Sequence, residues 1–304
     1  MVMSSYFDVD RVGVNDTKRD LFSWYPAYSE KYAVEFLKEW SLPGHGEAYS
    51  DCGSLRFKGC LDQERHVQEG QKGVYVKAYK RTCLRAECPI CYESWAGKEA
   101  EKLEYRLKKW SPNYRYLWER SLKKKDSRHE PIHVVASPSM KDLSLSYEEL
   151  RRKCYRVLKK TGVLGGAVVF HPFRINKKTK EVKFSPHFHS LVYGWVTRIK
   201  ENYEESGWVV KNTGVRKSVK QTVLYLLSHC GINPKHHSVT WFGKLSYNKL
   251  RVKPKLEEPE LCPICKTKIK ELLFLGDSSE LVLDEEWFGD VEKWVYKPKR
   301  FDYG

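Results

Sequence analysis

"SPHFHSLVYGW", residues 185–195, sets two histidines one residue apart within a run of β-forming side chains. In a strand, successive side chains face opposite ways. His187, His189, Leu191 and Tyr193 therefore share one side, and Phe188, Ser190, Val192 and Gly194 share the other. Two neutral imidazoles on one face can reach the same metal ion and leave positions open for water or a phosphate oxygen. A lone His-x-His pattern is ordinarily just two half-buried strand residues, so the chain around it decides its meaning.

Upstream, "PIHVVAS" (131–137) reads as a strand and "SYEELRRKCYRVLKKTG" (146–162) as a helix. Ser146 and Glu149 stand at capping-box spacing, and Tyr147, Leu150, Cys154 and Val157 form the helix's apolar stripe. "GGAVVFHPFR" (165–174) is a further strand. It carries His171 and reaches the opening strand through the polar turn "INKKTK". Strands interleaved with helices predict an α+β fold, an antiparallel sheet with flanking helices. His171, on a neighbouring antiparallel strand, is then either a third metal ligand or a structural residue. His133 reads as structural.

Downstream, "RKSVKQTVLYLLSHC" (216–230) has helical periodicity. Val219, Val223, Leu226, Leu227 and Cys230 make an apolar stripe, while Gln221, Tyr225, Ser228 and His229 fall on the other side. A tyrosine held off the burial face, with a histidine four residues on, can serve as a nucleophile. A plain surface tyrosine is the alternative reading.

The N-terminal third holds a second kind of signal. Cys52, Cys60, His66, Cys83, Cys88 and Cys91 lead into "CPICYESWAGKEAEKLEYRLKKW", a Cys-Pro-Ile-Cys turn that runs into a helix. Cys83, Cys88 and Cys91 fit a structural zinc site, with Cys52, Cys60 or His66 to complete it. Cys262 and Cys265 repeat the CPIC turn and supply only half a site, so they either borrow ligands from elsewhere, such as the N-terminal group, or stay as reduced thiols. Cys154 and Cys230, on apolar stripes, read as buried thiols. The charged stretch "SLKKKDSRHE" (121–130) marks a boundary near 125. The expected organisation is a zinc-binding N-terminal region (1–125), an α+β domain (126–250) and a C-terminal CPIC element with a tail (251–304). A helix is also expected near 29–40.

The 304 residues carry a formal net charge of +16, which favours a polyanionic partner, with nucleic acid first. No stretch approaches the ~18 apolar residues of a membrane helix and no basic-apolar leader opens the chain, so a soluble, cytoplasmic protein with reduced cysteines is expected. There is no Gly-x4-Gly-Lys-[Ser/Thr] phosphate loop, which excludes a fused helicase of that type. Position 191 is leucine where a histidine-triad nucleotide hydrolase needs a third alternating histidine.

Taken in order, "HVVASP", "FHPFR", "SPHFH" and "YLLSHCGI" resemble the motifs of the His-hydrophobe-His (HUH) endonuclease superfamily, and most closely the rolling-circle initiators of archaeal plasmids and viruses. The resemblance covers about residues 83–245. It implies an HUH/RRM-like nuclease fold and a metal-dependent endonuclease that nicks and rejoins single-stranded origin DNA through a 5′-phosphotyrosine. It also implies a covalent protein–DNA link and host helicase and polymerase partners. His187, His189 and His171 would hold Mg²⁺ or Mn²⁺, Tyr225 would attack, and Arg174 and Lys220 would contact DNA. Many members place a lysine shortly after the tyrosine. Here Leu226, Leu227, Ser228 and His229 follow, so His229 takes the charge-stabilising role. A transposase or relaxase with the same chemistry is a related reading, and a non-enzymatic, zinc-stabilised DNA-binding regulator is a reading from another class.

Overall fold

The computed structural model describes residues 39–122, 130–175, 182–254, 258–277, 286–289 and 291–298. The expected helix near 29–40, the polar turn after 175 and the end of the C-terminal tail lie almost wholly outside them. The chain forms two compact units, each discontinuous in sequence: residues 1–47 with 84–252, and residues 48–83 with 253–304. This departs from the three consecutive segments expected. The cause is strand pairing, because residues 55–60 form a sheet with residues 270–274.

The larger unit is built on a five-stranded antiparallel sheet. Its strands are β3 (Ile132–Ser137), β4 (Val163–Ile175), β5 (Val182–Gly194), β6 (Val209–Val215) and β7 (Val239–Gly243), in the order β6-β3-β5-β4-β7. The helices of this unit are α2 (Tyr92–Leu122), α3 (Tyr147–Lys160), α4 (Ile199–Ser206) and α5 (Val219–Leu227). The alternation read from the sequence governs the packing. One face of the sheet, with Val134, Val168, Phe170, Phe188 and Val192, is covered by Leu150, Cys154, Val157 and Leu158 of α3. The other, with Ala167, Val169, Leu191 and Tyr193, is covered by Val219, Val223 and Leu227 of α5 and by Ala96, Ala100, Leu103 and Leu107 of α2.

Caps set where the helices begin. Ser146 and Glu149 form the reciprocal capping box of α3, and Ser218 accepts from the Gln221 amide at the start of α5. The exit of α5 depends on close approach. Gly231 donates its N–H to Phe170 O at 2.8 Å, and a Cβ there would lie 2.6 Å from the Trp40 ring and 2.7 Å from Pro172. Gly231 therefore ties the end of α5 to β4 beside His171.

The α3 face also buries one carboxylate. Asp142 accepts hydrogen bonds from Lys153 Nζ at 2.6 Å, Trp208 Nε1 at 2.6 Å and Ser139 Oγ at 2.9 Å. Burial alone would raise its pKa, but these three partners outweigh it and hold the carboxyl below its usual value. A depressed folded-state pKa contributes stability at neutral pH, and that contribution is lost as pH falls through it. Asp142→Ala is expected to cost about 3 kcal/mol in urea denaturation at pH 7, because it strands a half-buried ammonium and a buried indole N–H. The deficit should shrink below pH 4. A pH-independent deficit would assign the loss to packing.

The smaller unit carries an antiparallel sheet of β1 (Leu55–Cys60), β2 (Val74–Lys80), β8 (Lys270–Phe274), β9 (Glu286–Gly289) and β10 (Trp294–Tyr296), in the order β10-β8-β1-β2-β9. A short helix α1 (Gln63–Gln68) lies between β1 and β2. Its apolar core is small, with Val74, Val76, Leu272 and Trp294 at the centre.

Candidate metal centre and its tyrosine helix

Strand register brings the histidines together. His171 on β4 pairs directly with His187 on β5, and Val169 pairs with His189, so all three imidazoles leave the face covered by α5. Each offers a ring nitrogen within 4.8 Å of the others, and their ring centroids lie 5.2, 4.4 and 4.9 Å apart. The third-ligand alternative for His171 thus has the geometry it needs.

The hydrogen bonds around these rings are selective. His187 Nδ1–H donates to Ser185 O at 2.6 Å, which leaves Nε2 for a ligand. His189 Nδ1 shares a 2.8 Å hydrogen bond with His133 Nε2. His133 is thus more than a core residue. It steadies the His189 ring, and Arg216 Nη2 lies 3.2 Å from its other nitrogen. Alternation in "IHVVAS" places His133 on the histidine face, a signal the sequence contained.

His171 is fully buried, yet neither of its ring nitrogens has a hydrogen-bond partner among the described residues. A buried polar atom left unpaired costs about 1–3 kcal/mol, and His171 carries two. A metal ion between the three rings removes that cost at one nitrogen. Burial pushes the pKa values of His187 and His189 down to about 4 and about 2, and that of His171 well below its usual value, with the neighbouring imidazoles adding to the effect. All three are neutral at physiological pH, the form that ligates. The all-nitrogen donor set suits a transition-metal ion and matches Mg²⁺ poorly, since Mg²⁺ demands oxygen donors.

Helix α5 lies over this cluster as its periodicity predicts. Val219, Val223, Leu226 and Leu227 are buried, while Tyr225 is 53% exposed. The Tyr225 ring lies 4.8 Å from that of His229, and the His229 ring lies 4.5 Å from that of His171. A continuous path of rings thus runs from the phenol to the buried cluster. Arg174 is exposed at its margin and donates from Nε to Ser185 Oγ at 3.0 Å. Lys220 does not join this group. Its ammonium is paired with Glu101 of α2 at 2.7 Å.

The cysteines separate into distinct donor sets. In the smaller unit Cys60, His66, Cys262 and Cys265 converge, with all four ligand atoms within 4.8 Å. Cys60 Sγ lies 3.7 Å from Cys265 Sγ, and Cys262 Sγ lies 3.3 Å from His66 Nε2. A tetrahedral zinc with bonds of about 2.3 Å places its sulfurs about 3.8 Å apart. His66 is fully buried and donates Nδ1–H to Gly73 O at 2.8 Å, so Nε2 faces the thiols as a ligand nitrogen. This set supplies the missing half-site for Cys262 and Cys265. Since it takes Cys60 and His66, it also leaves Cys52 for the other cysteines.

In that same unit Cys52 and Cys83 bring their sulfurs within 4.8 Å of each other, as do Cys88 and Cys91 at the start of α2 in the larger unit. The Cys88 and Cys91 carbonyls accept from the Tyr92 and Trp95 amides, so the CPIC turn becomes the helix's first turn. Paired thiols of this kind are donors that could hold zinc. Cys154 and Cys230 are fully buried, and burial pushes their thiols well above the usual value, as their apolar stripes predict.

No helix among the described residues is long and apolar enough to cross a membrane. Comparison with known protein families, curated proteins and solved structures gave no match.

Proposed function

We propose that this chain is a metal-dependent endonuclease that nicks and rejoins single-stranded DNA through a tyrosine, and that it serves as a rolling-circle replication initiator. The observation that carries this reading is the fully buried His171, unpartnered at both ring nitrogens among His187 and His189, beneath a helix that presents Tyr225.

A bound transition-metal ion would be held by His171, His187 and His189, and would supply Lewis-acid polarisation of the scissile phosphodiester. The remaining work falls to side chains. Arg174, exposed beside His187, holds a phosphate oxygen. The Tyr225 oxygen attacks phosphorus in line. The phenolic proton passes to His229, the bond from phosphorus to the 3′ oxygen breaks, and that oxygen takes a proton from solvent water and leaves as a hydroxyl. One phosphodiester is exchanged for a tyrosyl phosphodiester, so a later attack by a 3′-hydroxyl rejoins the strand without ATP. A +16 chain draws the polyanion to the site.

The test is incubation with a randomised single-stranded DNA pool and Mn²⁺, followed by denaturation and peptide mapping. A covalent adduct on Tyr225 is expected, absent in EDTA and weaker with Mg²⁺ than with Mn²⁺. Tight, metal-independent binding of the pool with no adduct would instead make the chain a zinc-stabilised DNA-binding protein.

A further inference from the structure

The outer surface of α3 has no part in the site above. It lies on the sheet face opposite the histidines, and it borders a groove of about 720 Å³ lined by Arg152, Arg156 and Lys159. All three side chains are exposed, and they recur at i, i+4 and i+7 as one ridge.

The other groups at this groove are already engaged. Lys153 is bound to Asp142, and the Glu149 carboxylate accepts from the Ser146 amide and hydroxyl. Tyr155 donates its hydroxyl to Thr240 and stacks on Phe242 with 8° between the rings. Among the described residues neither Arg156 nor Lys159 forms an ion pair. Cations in the last turn of a helix are explained by its dipole, which accounts for Lys159 and Lys160. Arg152 donates Nε–H to Glu148 O at 3.3 Å and keeps the rest of its guanidinium exposed, and Arg156 stands in a middle turn, where the dipole gives no reason for it.

We infer that this ridge is a second nucleic-acid surface, which grips the phosphate backbone of duplex DNA. Seven residues of helix rise about 10.5 Å, close to the rise of three base pairs along a duplex axis at about 3.4 Å each. Single-stranded DNA is a poorer fit, because it is bound by stacking bases on exposed rings and the one ring in this groove is already stacked. The inference does not depend on the nicking chemistry. Duplex binding and adduct formation are separate readouts on opposite faces of one sheet.

The test titrates the 304-residue chain, prepared in the presence of zinc, with a short blunt duplex of mixed sequence across a range of salt. The triple variant Arg152→Gln, Arg156→Gln, Lys159→Gln is compared with a control that removes three exposed cations elsewhere, Lys235→Gln, Lys249→Gln, Lys268→Gln. Each lost phosphate contact lowers the slope of log K against log salt by about 0.9, so the ridge variant should lose about 2 to 3 units of slope. Its affinity should fall at least about tenfold at low salt, and the control should lose far less. Adduct formation on a short single strand should be unchanged. Equal losses in the two variants would reduce the ridge to bulk charge. An unchanged slope, or a loss confined to the single strand, would remove the duplex surface altogether.

Discussion

Tyr225→Phe should leave single-stranded DNA binding within about twofold of the parent and lower covalent adduct formation by roughly 10⁴-fold or more, read in a single-turnover denaturing gel. The substitution deletes one oxygen from a side chain that is 53% exposed on the polar side of α5. Surface changes of this size shift stability by about 0.5 kcal/mol or less, so lost activity cannot be a folding effect. Tyr225 is also the tyrosine in ring contact with His229, the residue that links the phenol to His171. His229→Gln should retain the adduct but slow it by about 10²- to 10⁴-fold, the usual range for losing a proton acceptor. An adduct that persists in Tyr225→Phe and maps to another tyrosine would move the nucleophile off α5 and keep the histidine site. A normal rate in His229→Gln would remove the proton-transfer role from that ring.

What the sequence revealed follows the range of the forces involved. Alternation along residues 185–195 showed which residues share a face, because a strand's side chains have a period of two whatever surrounds them. The Ser146–Glu149 box and the stripe of α5 were equally legible, since caps and amphipathic faces are local properties. The direct pairing of His171 with His187 was legible only as a neighbouring antiparallel strand. Its exact register depends on the length of the connection between β4 and β5 and on the irregularity of the ladder between His171 and Phe173. The edge strand β6, "VVKNTGV", hid behind polar residues, as edge strands do.

The unit boundaries escaped for a different reason. Cys60 and His66 meet Cys262 and Cys265 across about two hundred residues, and no local pattern encodes such a contact. Strand β1 alternates Leu55 and Phe57 with Arg56 and Lys58, but nothing in that pattern names its partners β2 and β8. The pairing of Lys220 with Glu101 was not legible either, because it depends on where α2 lies.

Withholding metal from the Cys60, His66, Cys262 and Cys265 donor set is expected to unfold the smaller unit. Strong chelation, or Cys262→Ser, is expected to abolish hydrogen-exchange protection of amides in β1, β2 and β8 while amides in β3, β4 and β5 stay protected. The sheet of this unit is assembled from two distant chain segments, and its buried side chains form two small clusters, one of Val74, Val76, Leu272 and Trp294 and one of Cys60, Tyr75, Cys262 and Ile269. A core of that size is marginal alone. Structural zinc contributes an apparent ~10–16 kcal/mol in small domains, comparable to the whole stability of a typical one, about 5–15 kcal/mol. The ion would sit where it holds the segments together, with Cys60 ending β1, His66 on α1, and Cys262 and Cys265 in the turn before β8. Metal analysis separates the donor sets, since Cys262→Ser should lose one zinc and Cys88→Ser should lose another. Full protection of β1, β2 and β8 in the zinc-free chain would show that these thiols are packing residues and that the smaller unit stands on its apolar core.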